Sequence, residues 1–181
     1  MEEFTIRDAK KTDIPEIISL FSKAYKNNYI SHGEIQLGIA DSETILNPDS
    51  LTIKKKELET LFDSSEAFVR VIHSDSEHDP EHDPENNSEN TLAGVVISNI
   101  VSQYPWSKKY GVISDIVIDS NFRHMGLGQK LVKDAENLLK TYSIKDIFIE
   151  ISNKNTISKA FFSKLGYKAV SITAHKQLDN Q

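Results

Sequence analysis

The residues best suited to chemistry in this chain are Arg123-His124-Met125-Gly126-Leu127-Gly128, an Arg-x-x-Gly-x-Gly run that leads from an apolar strand into a helix. Two glycines let a backbone turn tightly and approach a ligand with no Cβ in the way. The first amides of the following helix have no partner inside it and face outward at the positive end of its dipole. Together these features make a cradle for a pyrophosphate. The run differs from a dinucleotide fingerprint, because Arg123 stands where the first glycine would be and the preceding strand is the fourth, not the first. It also differs from a nucleotide-hydrolase phosphate loop, since no Gly-Lys-Ser/Thr follows. Glycine at a helix start also serves close packing, so the six residues alone leave both readings open.

Other chemistries are excluded or weak. The chain has no cysteine, which removes a disulfide framework, a thiolate zinc site and a cysteine nucleophile together. The segment Ser74 to Thr91 holds seven acidic residues and no Lys or Arg, with Glu-His-Asp-Pro at 77–80 repeated at 81–84. His78 and His82 lie four apart beside carboxylates, but Pro80 between them opposes a helix, and a solvated loop with no fixed metal is the expectation. The formal charge of -6 is mostly this segment; the remainder has 20 acidic and 21 basic residues. No basic stripe of the kind that drives nucleic-acid binding is present.

The elements that must position the glycine run are legible in order. Phe4-Thr5-Ile6-Arg7 alternates as a first strand. Asp13-Ile14-Pro15-Glu16 reads as a helix start, with Asp13 capping and Glu16 reaching back. Ile14, Ile17, Ile18, Phe21 and Tyr25 then form one buried face. Residues 27–49 lose periodicity and predict an irregular connection with a helical turn or two. A second helix begins near Ser50, with Leu51, Leu58, Leu61 and Phe62 on one side and Lys54-Lys55-Lys56 on the other as a solvated face. Strands follow at Ala67–Ile72 and Leu92–Val101, joined by the acidic segment as a mobile hairpin loop at 74–91. The strand Gly111–Ile118 precedes the glycine run. A helix from about Gly126 to Tyr142 puts Leu127, Leu131, Ala135, Leu138 and Leu139 inward. Then come a strand at Asp146–Ile151, a helix at Thr156–Lys164 closed by Gly166, and a final strand within 168–178.

These elements fit one α/β (mixed α+β) domain over residues 1–181: a central mixed, mostly antiparallel twisted sheet with about four helices on its faces. A chain of 181 residues and 20.5 kDa, 38% hydrophobic and 27% charged, is of ordinary single-domain size. The start Met-Glu-Glu-Phe-Thr-Ile carries no signal region, and no apolar run approaches the ~20 residues that span a bilayer. With no cysteines, a cytoplasmic location and no membrane partner are expected.

From Arg123 onward the sequence resembles the GCN5-related N-acetyltransferase superfamily (GNAT). In that family the motif between the fourth strand and third helix binds the pyrophosphate of acetyl-CoA. Ser114-Asp115-Ile116-Val117-Ile118 resembles the family's splayed strand. Ile149-Glu150-Ile151, Asn155 and Phe161-Phe162-Ser163-Lys164-Leu165-Gly166-Tyr167 resemble its second signature of strand, Asn, helix and Leu-Gly-Phe/Tyr. The likeness runs from about Phe4 to Leu178 and is strongest from Leu92 to Tyr167. It implies acetyl-CoA as co-substrate with no metal. Coenzyme contacts are implied at Val117, Ile118, Arg123, His124, Met125, Gly126, Leu127, Gly128, Asn155 and Phe162. Asn155 is expected on the pantetheine arm or as a helix cap, and the two roles are compatible.

The sequence departs from the family at His124, where glycine is frequent, and at Phe162, which aligns with a frequent tyrosine proposed as the acid near the coenzyme sulfur. What the resemblance implies is transfer of acetyl to a primary amine by direct attack in a ternary complex, with an oxyanion donor among the amides around Val117 or Ile118. Glu150 and Asp115 are the candidate base or water-positioning groups. Tyr29, Tyr104 and Trp106 are candidates for the acceptor pocket; Tyr25 fits the core, and His175 reads as structural. The rival reading, for which Phe162 speaks, is a catalytically weak or inactive acyl-CoA-binding or protein-interaction module. The acceptor is a small-molecule or peptide amine of undefined identity, with no nucleic acid involved. Oligomeric state stays open, although homodimers are common in families resembling this one.

Overall fold

A computed structural model describes residues 3–25, 30–42, 45–75, 91–102, 104, 107–174 and 176. The alternating strand β1 (Glu3–Asp8) leads through a 3-10 turn into α1 (Ile14–Tyr25), then α2 (His32–Gln36) and the small antiparallel pair β2 (Ala40–Ser42) and β3 (Ile45–Leu46). Next come α3 (Ser50–Phe62), β4 (Ala67–Asp75), β5 (Thr91–Val101) and β6 (Tyr110–Ile118). The chain continues with α4 (Leu127–Thr141), β7 (Ile147–Ile149) and α5 (Thr156–Lys164). The main sheet runs β1-β4-β5-β6-β7, antiparallel except for the parallel β6–β7 pair. This is the mixed, mostly antiparallel sheet that the sequence predicts.

Two apolar layers sandwich the sheet. On one face α1 and α3 bring Ile17, Phe21 and Leu58 against Val71, Val95 and Ile97. On the other, α4 lays Leu127, Leu131 and Ala135 on Ile72, Ala93 and Val96. Leu138 is only half-buried, while Val132, not among the residues expected inward, is fully buried.

Four expectations need correcting. No strand forms in 168–174 or at 176: Val170 and Ile172 alternate as a strand would, yet Ile172 is 96% exposed, and the neighbouring β7 offers an edge of only three residues. In the described part of 27–49, α2 is the predicted helical turn and brings the described helices to five, but the β2–β3 pair is order beyond the prediction. Asp13 does not cap α1 from its side chain. Its carboxylate accepts from the Lys10 amide at 2.7 Å and from Arg7 at 2.7 and 3.1 Å, because β1 delivers a guanidinium next to it. Finally, Lys54 is not solvated, as the site below makes plain. β4 and β5 pair as far as Ser74↔Thr91, so the hairpin is real, while 76–90, with its repeat and both histidines, lie outside the described residues. Among the described residues no helix is long and apolar enough to cross a membrane, and no group of three or more His, Asp or Glu could hold a metal ion.

Candidate active site

β6 and β7 pair through three positions only, Gly111↔Ile147, Val112↔Phe148 and Ile113↔Ile149. On its other edge β6 carries one residue too many: Ile113 lies opposite Ser98 and Asp115 opposite Ile97, which leaves Ser114 as a bulge. A bulge bends its strand and re-aims the side chains beyond it. Ser114 Oγ accepts from Asn99 Nδ2 at 3.2 Å and donates to the Ile97 carbonyl at 3.4 Å. The consequence is a change of parity. Ile113 before the bulge and Ile116 and Ile118 after it all face α4, whereas Val117 joins the α1–α3 layer and Asp115 reaches α3. Past Ile113 the two strands part, and a cleft opens between residues 114–117 and 149–152.

At the end of β6, Asp119 Oδ1 accepts from the Asn121 amide at 3.0 Å, and its other oxygen accepts from Lys23 of α1 at 2.7 Å. Burial works against this carboxylate's charge, but Lys23 and the Asn121 amide prevail and hold it below the usual aspartate range. The turn beyond it needs left-handed backbone twice, at His124 (φ 66°) and Gly126 (φ 77°). Nothing lies within 4 Å of where a Gly126 Cβ would stand, so the loop is open above it. A Cβ on Gly128 would instead meet Phe161 Cζ at 3.4 Å. One glycine thus serves the turn and the other serves packing. The first bond of α4 runs from Lys130 N to the Gly126 carbonyl, which leaves the amides of 124–129 outside the helical ladder. Arg123 folds back, its Nε donating to the Ile118 carbonyl at 3.3 Å, while Met125 is exposed and Leu127 is fully buried.

The cleft has two unlike halves. On the α5 side, Asn155 caps its helix by accepting from the Ser158 amide at 3.0 Å and lines the cleft as well. Phe162 is buried edge-on against Phe161 and Tyr167 and shows one side to the cleft. On the α1–α3 side the lining is charged. Lys54, 1% exposed, lies 2.8 Å from Glu57 and 3.0 Å from Asp115, with its ammonium 4.5 Å from the centre of the Phe21 ring. The carboxylates drive its pKa up despite burial, which pulls the other way. Glu34 accepts from the Ser31 amide at 2.6 Å. Burial pushes Glu34 and Glu57 above the usual glutamate range. Tyr25 is 8% exposed and its hydroxyl, facing the cleft, has no partner among the described residues. At the mouth stands Glu150, with 48% of its side chain exposed and His32 Nδ1 3.9 Å away.

Residues 52–167 match the model of the acetyltransferase (GNAT) family. The chain belongs to that family. An N-alpha-acetyltransferase of Sulfurisphaera tokodaii is 21% identical over 187 residues, covering 99% of this chain and 89% of that protein. Among solved structures, the aminoglycoside acetyltransferase meta-AAC0020 from an uncultured soil metagenomic sample, in complex with sisomicin, superposes with a TM-score of 0.64 at 18% identity, covering 98% of this chain and 97% of that one. The aminoglycoside N-acetyltransferase AAC(6')-Iy in complex with CoA gives 0.68 at 14% identity, covering 98% and 96%. At these identities the solved structures speak for the fold.

Within this GNAT domain the cleft gathers Asp115, Val117, Glu150, Asn155 and Phe162 of the predicted site residues. The glycine run adjoins it through the Phe161–Phe162 ring pair. Tyr104 is 51% exposed in a turn held by the Ser102 and Ser107 hydroxyls and does not line the cleft. Tyr29, Trp106 and His175 lie outside the described residues. Tyr25 is core, as expected, and lines the cleft too. Sequence reasoning missed Lys54, Glu57 and Glu34. The signal for Lys54 was there: it precedes Leu58 by four and Leu61 by seven, which sets it on the apolar stripe of α3 and away from the solvated side.

Proposed function

We propose that this GNAT domain transfers the acetyl group of acetyl-CoA to a primary amine by direct attack in a ternary complex. The observation that carries the reading is one cleft at the parting of β6 and β7, which joins the α5 side beside the glycine run to a carboxylate-rich side under α1 and α3. The open turn at Gly126 and the amides of 124–128 fit a pyrophosphate, with Arg123 alongside. Asn155 and the backbone at Val117 and Ile118 are suited to the pantetheine arm, and Phe162 packs beside its end. Acetyl-CoA supplies a thioester, an acyl group already activated toward an amine.

The chain's own part is to bind, orient and move protons. An alkylammonium with a pKa of roughly 10.4 is neutral in only about one molecule in two thousand at pH 7, so a base must take its proton. Glu150 suits that role better than Asp115, because Asp115 is tied to Lys54 whereas Glu150 is half-exposed at the mouth. The Val117 or Ile118 amide is the donor for charge developing on the acyl oxygen. No cysteine exists to carry the acetyl group. Phe162 offers no proton to the departing sulfur, but a thiol of pKa roughly 8.5 needs only modest help to leave near neutrality.

Calorimetric titration with CoA and acetyl-CoA tests this, followed by an assay of CoA release with amines. Micromolar binding that is lost in Gly126→Trp, with the variant's melting curve as a folding control, is the expected result. Binding without turnover of any amine favours the non-catalytic module for which Phe162 speaks, and no binding by either ligand overturns the reading.

A further inference from the structure

Among the described residues four carboxylates line the cleft, Glu34, Glu57, Asp115 and Glu150, against the single ammonium of Lys54. Three of them, Glu34, Glu57 and Asp115, stand with Lys54 on the α1–α3 side, so this half sets three carboxyl groups against one ammonium. Unbalanced charge of one sign in a buried place is costly unless something arrives to balance it. The Tyr25 hydroxyl is buried in the same half with no partner, and a phenol oxygen can accept from an ammonium while its proton goes to a carboxylate. Phe21, already carrying Lys54 over its face, adds an aromatic wall of the kind cations favour.

The reacting nitrogen is a poor occupant for this half. It must be neutral when it attacks, and surrounding carboxylates would hold its proton in place. A cation that stays protonated throughout is the right chemistry. Resting on the acetyltransferase reading above, we infer that Glu34, Glu57, Asp115 and Tyr25 form a subsite for a second ammonium group, so that the acceptor is a diamine or polyamine and not a monoamine. The acceptor then spans the parting of the strands, with one nitrogen at the mouth near Glu150 and the other under α1 and α3. Glu34 is the specificity-determining residue most easily altered, because a Gln oxygen can still accept the hydrogen bond from the Ser31 amide.

The test is equilibrium binding of 1,5-diaminopentane, 1-aminopentane and 5-amino-1-pentanol to the full chain, with and without saturating CoA. One retained charge-assisted contact is worth roughly tenfold in affinity, so the diamine should bind at least about tenfold tighter than either monoamine. Glu34→Gln and Tyr25→Phe should each cut that preference severalfold while leaving CoA affinity unchanged. Equal binding of the three amines, no binding of any, or a preference that survives both variants overturns the inference. A neutral tetrapeptide that binds through its N-terminus as well as the diamine does so too. Failure to bind CoA is a separate result that sinks the acetyltransferase reading, and the amine titrations without CoA still decide this one.

Discussion

Replacing Lys54 with methionine keeps the length and most of the volume of the side chain and removes one charge. Lys54 is fully buried between Glu57 and Asp115, at 2.8 and 3.0 Å. Taking one member from a buried ion cluster leaves the others uncompensated and costs about 3–5 kcal/mol. For a domain of this size each kcal/mol moves Tm by about 2–4 °C, so the variant should melt about 6–20 °C lower. Lys55 supplies the control: it is the next residue, more than half exposed, and 4.0 Å from Glu59. Lys55→Met should change stability by no more than about 0.5 kcal/mol. Urea denaturation of both variants at pH 7 measures the difference. At pH 4 the Lys54→Met penalty should shrink, because Glu57, whose pKa burial raises, takes up a proton and gives up its share of the stranded charge. The triple change Lys54→Met, Glu57→Gln, Asp115→Asn should recover most of the loss. A Lys54→Met cost equal to that of Lys55→Met at pH 7 would refute the buried cluster and return Lys54 to a solvated face.

Other outcomes follow from the same physics. The Glu34 pKa is raised in the fold, by burial first and by Asp115 further down, so its contribution is full below the ordinary glutamate pKa and is lost as pH rises through the raised one. Glu34→Gln should therefore stabilise the chain at pH 7 and not at pH 4, read as a shift in urea midpoint. Asp13 is held down by the Arg7 hydrogen bonds against its burial, so its contribution is present above the ordinary aspartate pKa and lost as pH falls through the lowered one. Asp13→Ala should cost about 2 kcal/mol at pH 7 and steadily less in acid. His124 pays for a left-handed backbone; His124→Gly should be neutral or stabilising by up to about 1 kcal/mol, and His124→Val destabilising by about 1–2 kcal/mol, in thermal melts.

Strands and helices with a two-sided apolar pattern were legible because their period is written in the residues that pack. Ile17, Phe21 and Tyr25 on α1, and Leu127, Leu131 and Ala135 on α4, meet the sheet as their spacing requires. The open turn from Arg123 to Gly128 was legible as well, since it is a contiguous run whose shape depends on backbone. The acidic half was not, because Glu34, Glu57 and Asp115 come from three separate elements and meet only once α3 packs on the sheet. Lys54 was misread through its neighbours: three lysines in a row look solvated, yet a helix turns each by 100°, and only one of the three joins the Leu58 stripe. Val170 and Ile172 show the opposite error, where alternation without a neighbouring edge predicted a strand that the described residues do not form.

The surplus residue at Ser114 has a bearing on how such a protein can change. The parting of β6 from β7 follows a count of residues along one strand and depends little on which side chains are present. Substitution cannot erase a count. Deleting Ser114 would make Ile113, opposite Ser98, and Asp115, opposite Ile97, consecutive residues of a regular ladder and so remove the bulge, whereas Ser114→Ala removes two hydrogen bonds and leaves the strand's length intact. The bend in β6 is therefore open to substitution at Ser114 and closed to its deletion. What must be handed down is a length.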